Sequence, residues 1–335
     1  MSLHILTFRF SGFPPLRLDQ FLFQEIPEQL LRRKLPPEVS RSKIRRLILS
    51  GSVSMNGKQE RNPARSVHQG TKIAVRLDTE KLSFEKQPDD IKFELTPERV
   101  LFEDEFIIVV DKPANFPTEA TIVKTRDHLQ AAVVRYLSRN TGTAEPYVGL
   151  HHRLDRETSG VILFSKQRSA NSALHRMFLE RTVHKRYQAL VIRPGKKPGK
   201  EFSVENMLGR ISPKSAPGKW GSVKQGGEPA RTDFIILGEH DFGLHVLAIP
   251  LTGRTHQIRV HLAGLGMPIL GDTLYGGPSV LDESSRSPSC KIPRVMLHAA
   301  SLTFPHPVNG NEITVEAPLP EDFCRLLRGD SPNGQ

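Results

Sequence analysis

The hydrophobic and polar positions of residues 1–80 predict two helices followed by a β-hairpin. Apolar residues recur at helical spacing from Leu16 onward, which indicates a short amphipathic helix. Ser40 occupies the N-cap position of a second helix, and Gly51 ends that helix. Alternating apolar residues then lead into the turn Asn56-Gly57, a dipeptide that strongly favours a hairpin.

The hydrophobic pattern changes near residue 98, where short apolar segments begin to alternate with helical ones. Strands are predicted at 106–110, 161–164, 187–192, 232–237, 243–249, 302–304 and 313–315, and helices at 127–139 and 168–181. The Gly- and Lys-rich segment 209–227, with the single Trp220, is predicted to be a surface excursion. Many strands joined by hairpins, with few helices, predict an α+β fold class with a mixed, mostly antiparallel sheet.

These changes of pattern divide the 335 residues into four parts. Residues 1–80 form a small N-terminal domain with an extension, and residues 98–327 form a domain long enough to bury a large core. The polar, acidic residues 81–97 contain two prolines and are predicted to be a linker. Residues 328–335 are a polar tail.

Positive charge is concentrated in the N-terminal domain. Of the chain's net charge of +11, residues 16–78 carry +7, from 13 Lys and Arg against 6 Asp and Glu. No acidic residue occurs from 41 to 59, so the cations of the second helix have no partner along that helix. A solvated helix face is the alternative, but this asymmetry is typical of a nucleic-acid-binding module. We therefore predict phosphate contacts from Arg41, Lys43, Arg45 and Arg46.

Composition excludes several classes of protein. The two cysteines lie 34 residues apart and build neither a disulfide framework nor a zinc knuckle. The N-terminus lacks the apolar core and cleavage site of a secretory signal. No apolar run approaches the roughly 20 residues that cross a bilayer. We expect a cytoplasmic protein without a membrane partner, and monomeric by default.

Two polar clusters adjoin apolar strands in the larger domain. In the first, Arg153 and Arg156 flank Asp155, and neighbouring cations favour the ionised carboxylate. In the second, His256 and Arg259 share one face of a predicted helix with Thr255. Such clusters are costly to bury unless they meet each other or a charged ligand. At this level a structural Asp–Arg bridge and a catalytic carboxylate both remain open.

Five segments, in order, resemble motifs of the RluA-type pseudouridine synthases over about residues 100–320. They are 109–113 (VVDKP), 152–160 (HRLDRETSG), 185–191 (KRYQALV), 252–259 (TGRTHQIR), and 271–276 (GDTLYG) with 297–299 (LHA). The helix, helix, hairpin order of residues 1–80, with its basic second helix, resembles the α-L RNA-binding domain of a ribosomal small-subunit protein. The resemblance implies a pseudouridine synthase catalytic domain preceded by an RNA-binding domain.

The resemblance also implies roles for individual residues. Asp155 matches the catalytic aspartate, Arg259 the arginine that pairs with it, and Tyr187 the tyrosine beside the target base. Arg153 would fill the space that the flipped uridine vacates. The remaining RNA contacts of this domain are predicted to be Arg254, His256 and Gln257. The segment 114–119 departs from the family pattern, which puts RNA contacts from this loop in doubt.

The implied chemistry agrees with general principles. A target base must leave the RNA stack before an enzyme reaches its glycosidic bond, and a carboxylate can stabilise or capture the sugar when that bond breaks. Tyr187 could stack on the base and accept the proton from C5. The reaction is an isomerisation and needs no cofactor. The spacing of His256 and His261 also misses the i,i+4 pattern of helical metal ligands.

Two other classes of function are alternatives. A catalytically silent RNA-binding or ribosome-assembly factor would use both domains only to hold RNA. A glycosylase or nucleoside hydrolase would also place a carboxylate at the sugar, but it would release free base. The partner RNA, ribosomal or transfer, is open at this level, as is the question whether Asp155 attacks the sugar or first acts on a proton.

Overall fold

A computed structural model describes residues 3–33, 39, 41–78, 91–120, 126–213, 218–281 and 290–329. The chain divides into two compact units, Met1–Pro88 and Asp89–Gln335. Within the described ranges, no helix is both long enough and apolar enough to cross a membrane.

Strands outnumber helices in the described part of both units. The α-helices are α1 (Leu18–Arg32), α2 (Arg41–Leu49), α3 (Leu129–Thr141), α4 (Asn171–Glu180), α5 (Gln257–Gly264) and α6 (Glu321–Arg328). Strands of the first unit are β1 (Leu3–Arg9), β2 (Leu16–Arg17), β3 (Val53–Met55), β4 (Lys58–Glu60), β5 (Ser66–Val67) and β6 (Lys72–Asp78). Strands of the second unit are β7 (Val100–Glu103), β8 (Ile107–Lys112), β9 (Gly149–Leu150), β10 (Ser159–Ser165), β11 (His184–Ile192), β12 (Glu201–Arg210), β13 (Trp220–Ser222), β14 (Glu228–His240), β15 (Gly243–Pro250), β16 (Val280–Leu281), β17 (Cys290–Lys291), β18 (Leu297–Pro305) and β19 (Glu312–Glu316).

The first unit packs α1 and α2 against a four-stranded sheet of order β1-β6-β3-β4. The predicted order of helix, helix and hairpin is present. Asn56 and Gly57 join β3 to β4 with φ of 48° and 81°, the left-handed pair that a tight hairpin turn requires. Ser40, predicted as the N-cap of α2, lies outside the described residues.

The long pairing of β1 with β6 was not predicted. The two strands are antiparallel over seven residues each, from Leu3 opposite Asp78 to Arg9 opposite Lys72. Alternate side chains of β1 enter the core of the unit, and Leu6 is fully buried. The alternation is incomplete in the sequence, because the positions on the side opposite Leu6 include the apolar Leu3 and Ile5.

The second unit is built on an eleven-stranded sheet. Nine strands follow the order β13-β12-β14-β15-β11-β18-β10-β8-β7, while β19 pairs with β18 and β9 with β10. Among the described pairs, only β10 with β18 is parallel. The predicted α+β fold on a mixed, mostly antiparallel sheet is confirmed.

Helices cover both faces of the sheet beside β8 and β10. Alternate residues of these strands, such as Ile108 and Ile162, pack in one cluster with α3. The residues between them, such as Val109 and Val161, pack in another cluster with Leu174 of α4. Burial on both faces explains why these strands read as continuous apolar runs rather than alternating ones.

Three neighbouring strands, β10, β18 and β11, form the middle of the sheet. β18 lies between β10 and β11. Gly160 of β10 has φ of +112°, and a Cβ atom built there would lie 2.1 Å from the carbonyl oxygen of Ala299 in β18. Only glycine allows β10 and β18 to approach this closely.

Two segments differ from their predictions. Segment 209–227 was predicted to be a surface excursion, but among its described residues, 209–213 and 218–227, are the end of β12 and all of β13, and Trp220 is half-buried. Residues 91–97, assigned by sequence to a linker, lie in the second unit, where Leu95 is 2% exposed. Both segments carry spaced polar residues, so their apolar periodicity is too weak to predict a strand or a core position.

Candidate active site

One open cavity of about 610 Å³ gathers most of the predicted site residues of the second unit. Its walls come from the loop before β10, the strand β11, and the turn between β15 and α5. Asp155, Tyr187, Arg259, Arg153, Arg254, His256 and Gln257 all line it. Residues more than 100 positions apart in sequence therefore share one site. The four predicted cations of α2 belong to the other unit.

Asp155 lies in the loop before β10, with its side chain 20% exposed. Its Oδ2 accepts a hydrogen bond of 3.1 Å from a terminal nitrogen of Arg259. The arginines next to it in sequence pair with other carboxylates, Arg153 with Glu119 and Arg156 with Glu157. The contact with Arg259 is the one that the family resemblance implied. The flanking arginines, expected from the sequence to act on Asp155, pair with other carboxylates.

Arg259 connects two carboxylates. Its Nε and its second terminal nitrogen donate to Asp272 at 2.7 and 2.8 Å, and the remaining terminal nitrogen donates to Asp155. The side chains of Arg259 and Asp272 are 5% and 1% exposed. Burial alone would lower the pKa of Arg259, but its bonds to Asp272 and the charge of Asp155 raise it above its ordinary value. The guanidinium is thus permanently charged and has one fixed direction.

The loop after β8 holds the backbone around Asp155. Nζ of Lys112 donates to the carbonyl oxygens of Pro113, Phe116 and Arg156 at 2.9, 2.6 and 3.0 Å. Thr118 Oγ1 donates to the carbonyl of Leu154 at 2.8 Å. Burial lowers the pKa of Lys112 to about 7, whereas three carbonyl acceptors favour the protonated form that can serve them all. Segment 114–119, atypical in sequence, therefore has a structural task beneath the loop that carries Asp155.

Tyr187 lies in β11, directly after an irregularity in its pairing with β18. Burial, and then the nearby charge of Asp155, raise the pKa of its hydroxyl. The phenol therefore keeps its proton. A neutral ring suits stacking on a base better than removal of a proton, for which the phenolate is needed.

Lys185 shares the cavity face of β11 with Tyr187, two residues earlier. Its Nζ lies 5.1 Å from the centre of the Phe178 ring. Burial lowers the pKa of this lysine. No role was predicted for Lys185, although it belongs to the segment that resembles a family motif; its cavity position could not be inferred from the sequence without knowing which face of β11 is buried.

His256 stands in a left-handed conformation, φ 55°, immediately before α5. Its Nδ1 lies 2.8 Å from the hydroxyl oxygen of Tyr275. The same oxygen accepts a hydrogen bond of 3.0 Å from the backbone N–H of Trp220. Nε2 of His256 is 3.9 Å from Asp155 Oδ2. Burial, the largest influence, lowers the pKa of His256 despite the nearby Asp155. Tyr275 and Trp220 were not predicted as site residues.

Gln257 does not fit its predicted role as an RNA contact. It is 4% exposed. Its Oε1 accepts from Thr252 Oγ1 and from the N–H of Arg254, and its Nε2 donates to Arg231 O and Thr232 Oγ1, all at 2.6–3.0 Å. Every hydrogen-bonding position of the amide is occupied. The side chain instead anchors the turn before α5 to β14.

The two remaining predicted cations of this unit stand at the cavity wall with partners of their own. Arg254 donates from Nε to the carbonyl of Pro229 at 3.1 Å and forms an ion pair with Glu228. The side chain of Arg153 is 63% exposed and pairs with Glu119 at 2.9 Å. Exposed pairs of this kind exchange readily for phosphate.

The cations of α2 are only in part as predicted. Arg41 is exposed and stacks over the ring of Phe23, 5.0 Å from its centre. Arg45 pairs with Asp19 of α1 at 3.2 Å. The absence of acidic residues along α2 therefore did not mean the absence of a partner in space. Asp19 also accepts two bonds of 3.0 Å from Arg17, so the charge of Arg45 is only partly compensated.

Comparisons with known proteins agree with this geometry. The model of the RNA pseudouridylate synthase family matches residues 106–264. An uncharacterised RNA pseudouridine synthase of Aquifex aeolicus is 33% identical over 327 residues, 95% of each chain. Ribosomal large subunit pseudouridine synthase D of Vibrio cholerae is 34% identical over 94% of this chain and 93% of its own.

A solved structure shows the same relationship. The human RNA Pseudouridylate Synthase Domain Containing 4 has a TM-score of 0.54 and 25% identity, and the match covers 69% of this chain and 92% of that one. The motifs, the cavity that joins them and these relatives lead to one conclusion. The chain belongs to the RNA pseudouridine synthase family, and it is an isomerase that converts uridine in RNA to pseudouridine.

Proposed function

We propose that this enzyme modifies large-subunit ribosomal RNA, with Asp155 as its catalytic carboxylate. The observation that carries the catalytic assignment is the chain of contacts that runs from Asp155 in the cavity through Arg259 to the buried Asp272. The choice of RNA is supported by relatives named ribosomal large subunit pseudouridine synthase, among them one from Vibrio cholerae and one from Buchnera aphidicola. Transfer RNA is the competing substrate.

The cavity suits a nucleotide turned out of its stack. Its volume falls within the ~300–1,000 Å³ range of cavities that bind small organic molecules. Tyr187 offers an aromatic ring to a flipped uracil, and Lys185 and Arg254 bring positive charge to the wall. Arg153, the exposed arginine beside Asp155 in sequence, would fill the gap left in the RNA by the flipped base.

The reaction begins when the bond between C1′ and N1 breaks and its electron pair moves into the uracil ring. The ionised Asp155 stabilises or captures the resulting positive character on the sugar. The detached ring then turns, and its C5 forms the new bond to C1′. Where Asp155 has captured the sugar, its bond to C1′ breaks as C5 attacks. C5 then passes its proton to water in the open cavity and N1 takes one from water, so atoms and charge balance without an oxidant or reductant.

Arg259 has a positioning task in this scheme. Asp272 occupies two of its N–H directions and leaves the third for Asp155. A guanidinium held in this way fixes the orientation of the catalytic carboxylate. The loop tied by Lys112 restrains the same carboxylate from the backbone side.

The first unit adds binding strength in this proposal. Arg41, Lys43 and Arg46 of α2, with a smaller contribution from Arg45, contact phosphates of the same RNA. A monomeric enzyme in the cytoplasm stays a prediction.

The test is to map pseudouridines in total RNA from cells with and without the protein. We expect one or more sites in large-subunit ribosomal RNA to be lost, and to return with the wild-type chain but not with Asp155→Asn. Asp233→Asn, which removes a carboxylate from β14, is the matched control and should restore the sites. Loss confined to transfer RNA would overturn the choice of RNA, and release of free uracil would overturn the isomerase chemistry.

A further inference from the structure

We propose that His256 donates a hydrogen bond from Nε2 to the O2 carbonyl of the target uracil, and that Tyr275 holds the imidazole in the tautomer that makes this possible. The inference rests on the proposed catalytic role of Asp155. It assigns His256 to the reacting base and Tyr275 to a positioning role.

The tautomer follows from the hydroxyl of Tyr275. This oxygen accepts a hydrogen bond from the backbone N–H of Trp220 at 3.0 Å, a donor whose direction is not in question. Burial raises the pKa of Tyr275, so the hydroxyl keeps its own proton. The acceptor within reach of that proton is Nδ1 of His256, at 2.8 Å. Nδ1 is therefore the acceptor, and the ring proton sits on Nε2.

The imidazole is neutral in the free enzyme. Burial disfavours its charged form, and the positive charge of Arg259 acts in the same direction. Asp155, Asp272 and Glu157 oppose this effect, but the pKa of His256 is still lowered. A neutral ring with Nε2–H is a hydrogen-bond donor toward the cavity at ordinary pH.

The donor points into the region where the glycosidic bond must lie. Nε2 is 3.9 Å from Asp155 Oδ2, longer than a hydrogen bond, and both groups line the cavity. A substrate whose C1′ lies against Asp155 therefore brings the atoms next to N1 near His256. Of the two uracil carbonyls, O2 is attached beside N1, whereas O4 lies across the ring from C1′.

The chemistry needs a donor at this place. When the bond between C1′ and N1 breaks, the electron pair enters the ring and part of the charge resides on O2. A hydrogen bond from a fixed N–H to this oxygen becomes stronger as negative charge develops on it. The bond therefore stabilises the transition state more than the ground state, and this difference accelerates the reaction.

The local backbone supports a specific task for His256. A residue with a side chain rarely adopts φ near 55°, and such a conformation persists where the surroundings enforce it. The ring is held on two sides, by the Tyr275 hydroxyl and by the edge of Trp220, whose centre lies 5.0 Å away. A histidine that merely faced solvent would need neither restraint.

The tautomer is tested without substrate. Nitrogen-15 NMR of the full chain, labelled at histidine and assigned through His256→Gln, should give Nδ1 the shift of an unprotonated nitrogen and Nε2 that of a protonated one. Tyr275→Phe should move both shifts toward a mixture of tautomers. Tyr147→Phe is the control, because that hydroxyl accepts from Asn171 and touches neither His256 nor Asp155. The reverse assignment of the two nitrogens would overturn the proposal.

The contact with O2 is tested by single-turnover rates on a short RNA that carries a mapped target site. We expect His256→Ala to lower the rate roughly 10- to 100-fold, and His256→Gln, which keeps an amide N–H, to recover part of it. In RNA with 2-thiouridine at the target, sulfur is the weaker acceptor. The ratio of uridine to 2-thiouridine rates should therefore be larger for the wild-type enzyme than for His256→Ala.

The comparison between enzymes removes the intrinsic effect of sulfur on bond breaking, and 4-thiouridine is the matched substrate control. Equal 2-thio ratios in both enzymes, with pseudouridine still formed, would overturn this inference alone. Absence of pseudouridine from every RNA with the wild-type chain would instead contradict the proposed function.

Discussion

The charged groups at the cavity and the cations of α2 differ in burial and in how their partners are fixed. At the cavity wall, Arg259 and the Asp272 behind it are almost fully buried, and each guanidinium donor has a defined acceptor. On α2, Arg41, Arg45 and Arg46 are exposed, and the described partner of Arg45 is an acidic residue of the neighbouring helix. The charged side chains at the cavity are held in position before RNA binds, whereas those of α2 take their positions when RNA binds.

The difference has an energetic consequence. A buried ion whose partner is removed costs several kcal/mol because water cannot replace the partner. An exposed cation is solvated with or without its phosphate, and its contribution is small and sensitive to salt. Single substitutions should therefore have large, specific effects in the cavity and small, additive effects on α2.

The largest effect is expected at the carboxylate itself. Asp155→Asn keeps the shape of the side chain but removes the charge that meets the sugar, so single-turnover pseudouridine formation should fall by roughly 10⁴-fold or more. RNA affinity, measured by filter binding, and the thermal midpoint should stay near wild type. A rate within tenfold of wild type would end the assignment of Asp155 as the catalytic group.

Arg259→Met should affect both rate and stability. It leaves Asp272 buried without a cation, which should lower the free energy of unfolding by about 3–5 kcal/mol. Loss of the orientation of Asp155 should lower the single-turnover rate by roughly 100-fold. The double variant Arg259→Met/Asp272→Leu removes the orphaned charge and should recover stability without recovering rate. Recovery of both would show that Arg259 stabilises the fold and does not serve Asp155.

Acid should destabilise the second unit through its buried histidines. Burial lowers the pKa of His298 to about 4, against 6.5 for an ordinary histidine. The folded protein therefore binds fewer protons than the unfolded chain between these values, so the stabilisation is complete above about pH 6.5 and is lost as pH falls toward 4.

One such histidine changes the free energy of unfolding by at most about 1.4 kcal/mol per pH unit in that interval. Urea unfolding from pH 4 to 6.5 should therefore show a shallower dependence for His298→Gln than for wild type. His261 and His245, whose pKa values burial also lowers to about 4, should leave a residual slope in this variant. Identical slopes for the two proteins would exclude His298 as a contributor.

The smallest effects are expected on α2. Arg41→Gln or Lys43→Gln should weaken RNA binding only a few-fold, and each should reduce the slope of log affinity against log salt by about 0.7–0.9. Arg45→Gln should do less, because Asp19, which also pairs with Arg17, already compensates part of that charge. Arg32→Gln, an exposed cation of α1 paired with Glu28, is the matched control. A triple α2 variant with an unchanged salt slope would remove α2 from the binding surface.

The sequence predicted the fold class and the two polar clusters because both depend on local patterns. Apolar periodicity located most strands of the large sheet, and the motif segments located Asp155 and Arg259. It did not predict that Arg259 has a second carboxylate partner. Asp272 lies in the motif segment 271–276, but only the packing of α5 brings it to the guanidinium.

Other parts of the site depend on contacts across many residues. The hydroxyl of Tyr275 joins Trp220 to His256, three residues from three separate segments. Lys112 was visible as part of a Lys-Pro motif, but its bond to the carbonyl of Arg156 spans 44 positions. Gln257 was predicted as an RNA contact because a polar side chain beside a motif looks available, and its burial could not be inferred from spacing.

Gly160 places a limit on how this enzyme can be altered. The catalytic loop ends at β10, Tyr187 lies in β11, and the strand between them, β18, approaches β10 so closely that no methyl group fits. The separation of the carboxylate and the aromatic ring thus depends on one missing carbon atom. A library of variants selected for new substrates can change cavity residues that have no part in the reaction, but every surviving member should carry glycine at this position.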